Sequence, residues 1–258
     1  MTQDLIANEM KPSFHITACC ESDKGLVRSY NEDTCLVNNE DRYFLVTDGM
    51  GGAAAGEMAS SLFRETVIDL FSATPRHCLT RESVQELVFE CFQAAHARIL
   101  SHVEEEPAHE GMGCTAELLV FFDNDIVIGH VGDSRTYRLH DQQLNQLTTD
   151  HSFVQEQQDL GLITREQAKT HTLKNLILRV VGSSENLEVD LIGSTAEPGD
   201  IFLLCTDGLS DMVSDEQIEE ILSYDMDLQV KATMLIDRAN YSGGKDNISV
   251  TLIAIIPP

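Results

Sequence analysis

Four aspartates stand where apolar segments of strand length begin or end, each beside a glycine or in a tight turn. Asp48, Asp133 and Asp207 follow such segments, and Asp246 precedes one. Because Asp-Gly pairs are common in turns, a single case predicts only a turn. Four cases favour carboxylates gathered at one edge of the fold, where mutual repulsion would raise their pKa values unless a cation neutralised them. The pattern therefore predicts a metal site.

All candidate ligands of that site are oxygen atoms, which suits Mg²⁺ or Mn²⁺ and also admits Ca²⁺. The sequence has no EF-hand loop and no cluster of cysteines and histidines at ligand spacing, so zinc is disfavoured.

A second candidate group lies earlier in the chain, where Arg28 stands close to Glu32 and Asp33 just ahead of an apolar segment. An arginine can hold a phosphate through two parallel N–H bonds, which a lysine cannot match. A surface ion pair is the commoner role of an arginine beside carboxylates, and Arg28 alone predicts no more than that.

The elements that must position these residues are strand-length segments, long helices and one insert. Apolar, β-branched segments predict strands over 14–20, 34–37, 43–47, 115–122, 126–131, 136–139, 187–192, 201–206 and 248–256. Helical spacing predicts two helix pairs, at 57–71 with 81–103 and at 215–222 with 228–239. Hairpin-type neighbours predominate, which favours the α+β class with antiparallel sheets and segregated helices. Residues 1–13 are interpreted as a tail, 14–258 as one domain, and 151–179 as a polar, mostly helical surface insert.

The charge balance restricts the partners. The chain has 258 residues, of which 17 are basic and 43 acidic, and its formal net charge is −26. Such a chain is repelled by a nucleic-acid backbone and by an anionic membrane surface, so neither is an expected partner. A phosphorylated substrate is repelled as well, and a phosphate site would need local positive charge such as metal ions supply.

Cysteine usage and hydropathy indicate the compartment. The seven cysteines are odd in number and form no C-x-x-C pair, which predicts buried free thiols in a reducing compartment. The N-terminal residues lack an apolar stretch, and no uncharged apolar run approaches the ~20 residues of a membrane span. A cytoplasmic protein without a membrane segment is therefore expected.

Seven motifs in a fixed order show which family the chain resembles. They are Gly25-x-x-Arg28-x-x-Asn31-Glu32-Asp33, Asp48-Gly49-Met50-Gly51-Gly52, Gly113-Cys114-Thr115-Ala116, Gly132-Asp133-Ser134-Arg135, Leu147-Thr148-x-Asp150-His151-Ser152, Thr206-Asp207-Gly208-Leu209-Ser210-Asp211 and Asp246-Asn247-Ile248-Ser249. With these motifs the chain is similar to the metal-dependent serine/threonine protein phosphatases of the protein phosphatase 2C (PP2C) family, in its compact bacterial form.

The resemblance implies a fold and a reaction. The fold is an α+β, four-layer α-β-β-α sandwich of two mainly antiparallel sheets flanked by helix pairs. The reaction is hydrolysis of phosphoserine and phosphothreonine, in which a hydroxide bridging two Mn²⁺ or Mg²⁺ ions attacks phosphorus directly. Arg28 would bind the phosphate and stabilise its charge, and Arg28 and Asp48 would be the catalytic residues.

The resemblance also assigns metal ligands. Asp48 would bridge two ions, the Gly49 carbonyl would complete one of them, and Asp207 and Asp246 would bind the other. The remaining assignments are Glu32 and Asp33 near the centre through bound waters, Asp133 with Asp207 at a weaker third-metal site, and Asn247 orienting the surroundings of Asp246.

One position departs from many eukaryotic relatives, which carry a histidine directly after Asp-Gly as a candidate general acid. Met50 stands there and its thioether cannot donate a proton, so the donor to the leaving alkoxide stays open. His130 and His151 are interpreted as structural. Residues 151–179 correspond to the flap of the family, which would gate access to the site or select the substrate; we call this segment the flap.

Three alternatives stay open. A pseudophosphatase would use the same fold for binding, but it would need missing ligands and none is missing. A phosphohydrolase for a small metabolite or nucleotide finds no support in a Walker-type loop or a Rossmann fingerprint. A haloacid-dehalogenase-type phosphatase would need an Asp-x-Asp motif that Asp48 lacks. The expected partners are phosphorylated proteins, including a cognate serine/threonine kinase and its targets, and the expected state is a monomer.

Overall fold

Ten strands and seven α-helices follow one another in residues 14–52, 54–74, 79–183 and 186–257, which are the residues that the computed structural model describes. The tail expected over residues 1–13 lies outside them. The strands are β1 (His15–Asp23), β2 (Thr34–Asn38), β3 (Tyr43–Met50), β4 (Gly113–Phe122), β5 (Asp125–Val131), β6 (Arg135–His140), β7 (Gln143–Gln146), β8 (Asp190–Thr195), β9 (Ile201–Cys205) and β10 (Ile248–Ile256). The helices are α1 (Ala54–Ala73), α2 (Arg81–Glu105), α3 (Phe153–Asp159), α4 (Arg165–Lys169), α5 (Asp207–Ser210), α6 (Asp215–Ser223) and α7 (Leu228–Tyr241).

The strands form two five-stranded sheets in which neighbouring strands are antiparallel. One sheet has the order β1-β10-β9-β6-β7 and the other the order β2-β3-β4-β5-β8. β1 and β10 pair along their full length, from His15 opposite Ile256 to Asp23 opposite Ile248. Segments that are far apart in the sequence thereby become neighbours in one sheet.

The two sheets stack face to face, and each carries a helix pair on its outer side. α1 and α2 pack on the sheet that contains β3 and β4, and α7, with α6 beside it, packs on the sheet that contains β1 and β10. Three apolar clusters fill the interfaces. Phe63 and Phe92 belong to the cluster beneath α1 and α2, Leu235 to the one beneath α6 and α7, and Phe121 and Phe202 to the one between the sheets. The predicted α+β, four-layer α-β-β-α sandwich is confirmed.

The sequence around α2 specifies both its start and its buried face. Thr80 and Ser83 form a capping box, in which each side chain accepts a hydrogen bond from the backbone N–H of the other. Val84, Val88 and Phe92 then recur at helical spacing and are buried. Among the helices that the structure describes, none combines the length and apolar composition needed to cross a bilayer.

β1 and β3 each end three residues later than expected, one strand is shifted along the chain and one strand is not predicted at all. β8 pairs with β5 over Asp190–Thr195, whereas the apolar run predicts a strand over 187–192, because pairing with β5 determines where the strand begins. β7 is not predicted, since its sequence QLNQ lacks an apolar pattern and the strand lies at a sheet edge, paired only with β6. The flap is helical only over α3 and α4, of seven and five residues, and the rest of 151–179 consists of turns and irregular backbone. The expectation of a mostly helical insert is therefore wrong.

Candidate active site

The four aspartates found at strand ends come from both sheets. Asp48 lies near the end of β3 and Asp133 just after β5, whereas Asp207 begins α5 directly after β9 and Asp246 precedes β10. Burial raises the pKa of Asp48 well above its ordinary value, and the charges of Asp33 and the other three aspartates raise it further. The four aspartates at strand ends therefore lie close enough for their charges to interact, as the sequence pattern predicts.

Glu32 and Asp33 join this group from the loop before β2. Both are 8% exposed. Thr206 donates its hydroxyl to Asp33 Oδ2 at 2.8 Å. Burial raises the pKa of Asp33 to about 7 in spite of that hydrogen bond, and the charge of Asp207 adds to the effect. Burial also raises the pKa of Glu32. A charged carboxylate at this place calls for a compensating cation.

Four buried carboxylate oxygens of the group accept no hydrogen bond from the residues that the structure describes. They are Glu32 Oε1, Asp33 Oδ1, Asp133 Oδ1 and Asp207 Oδ1. Buried polar atoms without partners are rare because their desolvation is uncompensated. Since oxygen is the ligand that Mg²⁺ and Mn²⁺ prefer, these residues fit a centre of divalent cations.

Both oxygens of Asp246 are engaged by protein donors. Arg28 donates from Nη2 to Asp246 Oδ2 at 2.7 Å, and the backbone N–H of Asn247 donates to Oδ1 at 2.8 Å. Within the described part of the chain, no three or more His, Cys, Asp or Glu side chains are arranged to hold a metal ion. The carboxylates are thus gathered without forming a closed set of ligands.

Asn247 fixes the loop before β2. Its amide donates to the carbonyls of Lys24 and Tyr30 at 3.0 and 2.8 Å, and its Oδ1 accepts from the backbone N–H of Glu32 at 2.9 Å. The side chain expected to orient the surroundings of Asp246 therefore braces the neighbouring loop, while its backbone N–H bonds Asp246.

Two hydroxyls connect the backbone at Asp48 with the turn that carries Asp133. The backbone N–H of Asp48 donates to Thr115 Oγ1 at 3.2 Å, and Thr115 Oγ1 lies 2.7 Å from Ser134 Oγ. Gly132 adopts φ +113°, and a Cβ there would stand 2.5 Å from the Thr115 side chain. The turn therefore needs glycine both for its backbone conformation and for its close packing.

A cavity of about 130 Å³ opens beside the carboxylates. It is lined by Lys174, Asn175, Asp207, Gly208, Asp211, Met212, Lys245 and Asp246. The flap contributes Lys174 and Asn175, and the turn before β10 contributes Lys245 and Asp246. Because lysines and aspartates both line the cavity, it is suited to bind a charged ligand rather than an apolar one.

Three cations of the flap form ion pairs with acids outside it. The pairs are Arg165 with Asp215 at 2.5 Å, Arg179 with Asp190 at 2.9 Å and with Glu188 at 3.3 Å, and Lys174 with Asp211. All seven side chains are about one-third exposed or more, so each pair contributes little and is weakened by salt.

Sequence reasoning misses Glu117, a carboxylate buried between the sheets. His130 lies opposite Glu117 in the β4–β5 register and forms an ion pair with it. Thr136, from the other sheet, donates its hydroxyl to the second oxygen of Glu117 at 2.5 Å. Burial opposes charge on His130, but Glu117 outweighs it and raises the pKa of His130 to about 9. The only signal for this pair in the sequence is an acid within an apolar strand.

Comparison with known proteins decides the family. Residues 27–237 match the family model described as protein phosphatase 2C. The chain belongs to the PP2C family. The resemblance drawn from its motifs is confirmed, and as a PP2C member the chain is a protein phosphatase.

Individual PP2C proteins match over most of the chain. The serine/threonine phosphatase Stp of Listeria monocytogenes is 38% identical over 235 residues, which are 90% of this chain and 93% of the relative. The crystal structure of the Mycobacterium tuberculosis serine/threonine phosphatase PstP/Ppp matches with a TM-score of 0.87 and 37% identity, covering 93% of this chain and 99% of that one. The catalytic domain of PstP in complex with two manganese ions matches with a TM-score of 0.85 and 37% identity, covering 94% and 99%.

Proposed function

We propose that this PP2C chain is a metal-dependent phosphatase that hydrolyses phosphoserine and phosphothreonine in proteins. The observation that carries the proposal is the group of buried carboxylate oxygens without partners among the described residues, with the Arg28 guanidinium beside it. Such a group is stable as anions only when cations neutralise it. The names of the relatives and the manganese bound to PstP support the same activity.

Two Mn²⁺ or Mg²⁺ ions would be held by this group. The proposed ligands are Asp48, the Gly49 carbonyl, Asp207 and Asp246 for the two ions, Glu32 and Asp33 through waters, and Asp133 with Asp207 for a weaker third ion. Asp48 is the proposed shared ligand by its resemblance to the family motif Asp48-Gly49. Arg28 competes with an ion for Asp246, because its Nη2 donates to Oδ2 of that carboxylate.

The bound ions would supply neutralisation of the phosphate charge and a hydroxide for direct attack on phosphorus at neutral pH, without a phosphoenzyme. Arg28 would hold the phosphate oxygens through parallel N–H bonds and stabilise the charge on them in the transition state. Met50, directly after Gly49, has no proton to donate, so the proton of the leaving alkoxide does not come from this position.

The proposed substrates are phosphorylated proteins, among them a cognate serine/threonine kinase and its targets. The net charge of −26 repels such anions at long range, so binding must rely on the local positive groups at Arg28, Lys174 and Lys245. We place the chain in the cytoplasm as a monomer.

The test is an assay of the full chain with Mg²⁺, Mn²⁺ and Ca²⁺ on peptides that carry phosphoserine, phosphothreonine or phosphotyrosine, with a small aryl phosphate alongside. We expect Mn²⁺- or Mg²⁺-dependent hydrolysis that is abolished by EDTA and favours phosphoserine and phosphothreonine. Tight Mn²⁺ binding in calorimetry without turnover would establish a pseudophosphatase instead. A preference for small metabolite phosphates over the peptides would contradict a protein substrate.

A further inference from the structure

His151, the first residue of the flap, is buried with an exposed fraction of 8% for its side chain. Its Nδ1 accepts a hydrogen bond from the backbone N–H of Gly132 at 3.1 Å. Its Nε2 lies 3.2 Å from Asp190 Oδ2 on β8 and 3.1 Å from Nη1 of Arg179 at the far end of the flap. The same Nη1 donates to the other oxygen of Asp190 at 2.9 Å. The His151 ring therefore contacts both the turn before Asp133 and the ion pair of Asp190 with Arg179 at the end of the flap.

The tautomer of the ring follows from these contacts. The N–H of Gly132 can only donate, so Nδ1 carries no proton and the proton of the neutral ring is on Nε2, which donates it to Asp190. Arg179 Nη1 can only donate as well, so at 3.1 Å from Nε2 it packs against the ring and directs its hydrogen bond to Asp190. Burial, together with the charge of His130, lowers the pKa of His151 to about 4. The centres of the two imidazole rings are 4.4 Å apart. The ring of His151 is therefore neutral at neutral pH.

The backbone of His151 closes the base of the flap. Its N–H donates to the carbonyl of Gly132 at 2.7 Å, and its carbonyl accepts from the N–H of Leu178 at 2.7 Å. One step further along, the N–H of Phe153 donates to the carbonyl of Leu176 at 2.9 Å. The two ends of the flap are thus joined in a narrow neck, and His151 lies where the neck meets the end of β5.

We propose that His151 is a positioning residue that holds two parts of the site through its two ring nitrogens. Nδ1 fixes the turn that presents Asp133, and Nε2 fixes the neck of the flap through Asp190 and Arg179. The role at Asp133 rests on the proposed function, whereas the role at the flap does not. Because the two contacts lie on different atoms of the ring, they can be removed separately.

Two substitutions achieve that separation. In His151→Asn the amide oxygen stands where Nδ1 stood and still accepts from Gly132, but the shorter side chain no longer reaches Asp190. In His151→Gln the longer side chain still reaches Asp190, but the acceptor for Gly132 is lost. Asp190→Ala removes the bridge between His151 and Arg179 and leaves the ring intact, while Arg179 keeps its exposed ion pair with Glu188 at 3.3 Å. The Asp190 side chain is 44% exposed, so we expect the fold to tolerate the change.

Two readouts follow the two roles without turnover. Trypsin cleavage at Arg165, Lys169 and Lys174 reports opening of the flap, and calorimetric titration with Mn²⁺ reports ion binding. We expect His151→Asn and Asp190→Ala to be cleaved at least fivefold faster than the wild type, with Mn²⁺ affinity unchanged. We expect His151→Gln to bind Mn²⁺ at its weakest site at least fivefold less tightly, with the wild-type cleavage rate. Asp190→Ala should also raise KM for a phosphopeptide about threefold without changing kcat.

Equal effects of the two His151 substitutions on both readouts would show that the ring only fills space, and this outcome would overturn the proposal. Wild-type behaviour of both variants would overturn it as well. If the His151 variants do not fold, a wild-type cleavage rate in Asp190→Ala overturns the role at the flap and faster cleavage supports it. Because cleavage requires neither metal nor turnover, a wild-type chain without Mn²⁺-dependent activity would reject the proposed function while the flap contact is still tested.

Discussion

Arg28 and Asp246 stand 218 positions apart in the sequence and form an ion pair in which Nη2 lies 2.7 Å from Oδ2. The pair joins the proposed phosphate-binding group to a proposed metal ligand. The side chains are 48% and 32% exposed, so the pair contributes at most about 1 kcal/mol and opens readily. We therefore propose that ion binding at Asp246 and phosphate binding by Arg28 both compete with this pair.

Replacing Arg28 by alanine separates those two events. We expect KM for a phosphopeptide to rise at least tenfold, because the parallel N–H bonds to phosphate are lost. Mn²⁺ affinity in calorimetry should stay equal or increase, because Asp246 loses a competing partner. Arg28→Lys should remain impaired, since an ammonium group cannot reproduce the planar fork of donors. A large loss of Mn²⁺ affinity in Arg28→Ala would contradict this assignment.

Asp207→Asn should stabilise the metal-free chain while it abolishes turnover. Burial raises the pKa of Asp207 to about 6, and the charge of Asp246 adds to the effect, so removing the charge relieves repulsion. We expect Tm in EDTA to rise by roughly 2–4 °C, the change typical of 1 kcal/mol in a chain of this size. The rise in Tm on adding Mn²⁺ should disappear, and activity should fall at least 1,000-fold.

The matched control for that change is Asp69→Asn, which removes the same charge from a side chain on α1 that is 73% exposed. It should behave as the wild type in thermal scans and in the activity assay. Metal-stimulated activity that survives in Asp207→Asn would count against the ligand assignment.

Stabilisation by Mn²⁺ should increase as the pH rises from 5.5 to 7.5. Folding raises the pKa of Asp33 to about 7 and that of Asp207 to about 6, from an ordinary value of 3.8. Without metal, these acids therefore contribute stability that is present below pH 3.8 and lost as the pH rises through 6 and 7. Protons and Mn²⁺ compete for the same oxygens, so the Mn²⁺-induced rise in Tm should be roughly 5 °C larger at pH 7.5. An equal rise at both pH values would show that the ions bind elsewhere.

The buried Glu117–His130 pair should stabilise the fold less as the solution becomes alkaline. Glu117 raises the pKa of His130 from 6.5 to about 9, so the contribution is fully present below pH 6.5 and is lost as the pH rises through 9. At 1.36 kcal/mol per pKa unit, the loss is about 3 kcal/mol. Urea unfolding should show that the free energy of unfolding of the wild type approaches that of the double variant Glu117→Gln/His130→Asn by this amount between pH 6.5 and pH 9. A constant difference between the two proteins would mean that the pair does not titrate in this range.

The carboxylates at strand ends were the part of the site most open to prediction. Asp48 and Asp207 each follow an apolar run and precede glycine, and this local pattern indicates that each acid lies at the end of its strand or just after it. The ion pair of Arg28 with Asp246 could not be predicted, because nothing local in the sequence records which side chains meet after two distant loops pack together.

Glu117 escaped prediction for a different reason. β4 is buried along almost its whole length, between the other sheet on one side and a helix pair on the other, so it shows no alternation of polar and apolar residues. An acid in such a strand gives no sign of which neighbour neutralises it. The start of β8 could not be predicted because it depends on how the strand pairs with β5. The edge strand β7 could not be predicted because its sequence is polar and shows no apolar pattern.

The position of β10 has a consequence for biosynthesis. This strand lies between β1 and β9, and the turn before it carries Asp246. A ribosome adds these residues after the other nine strands that the structure describes, so β1 has no hydrogen-bonding partner strand until then. Pairing His15 with Ile256 closes a very long loop and comes late in folding. A nascent polypeptide that ends before residue 246 lacks one of the proposed ion ligands, so we expect it to be inactive while it is still being made.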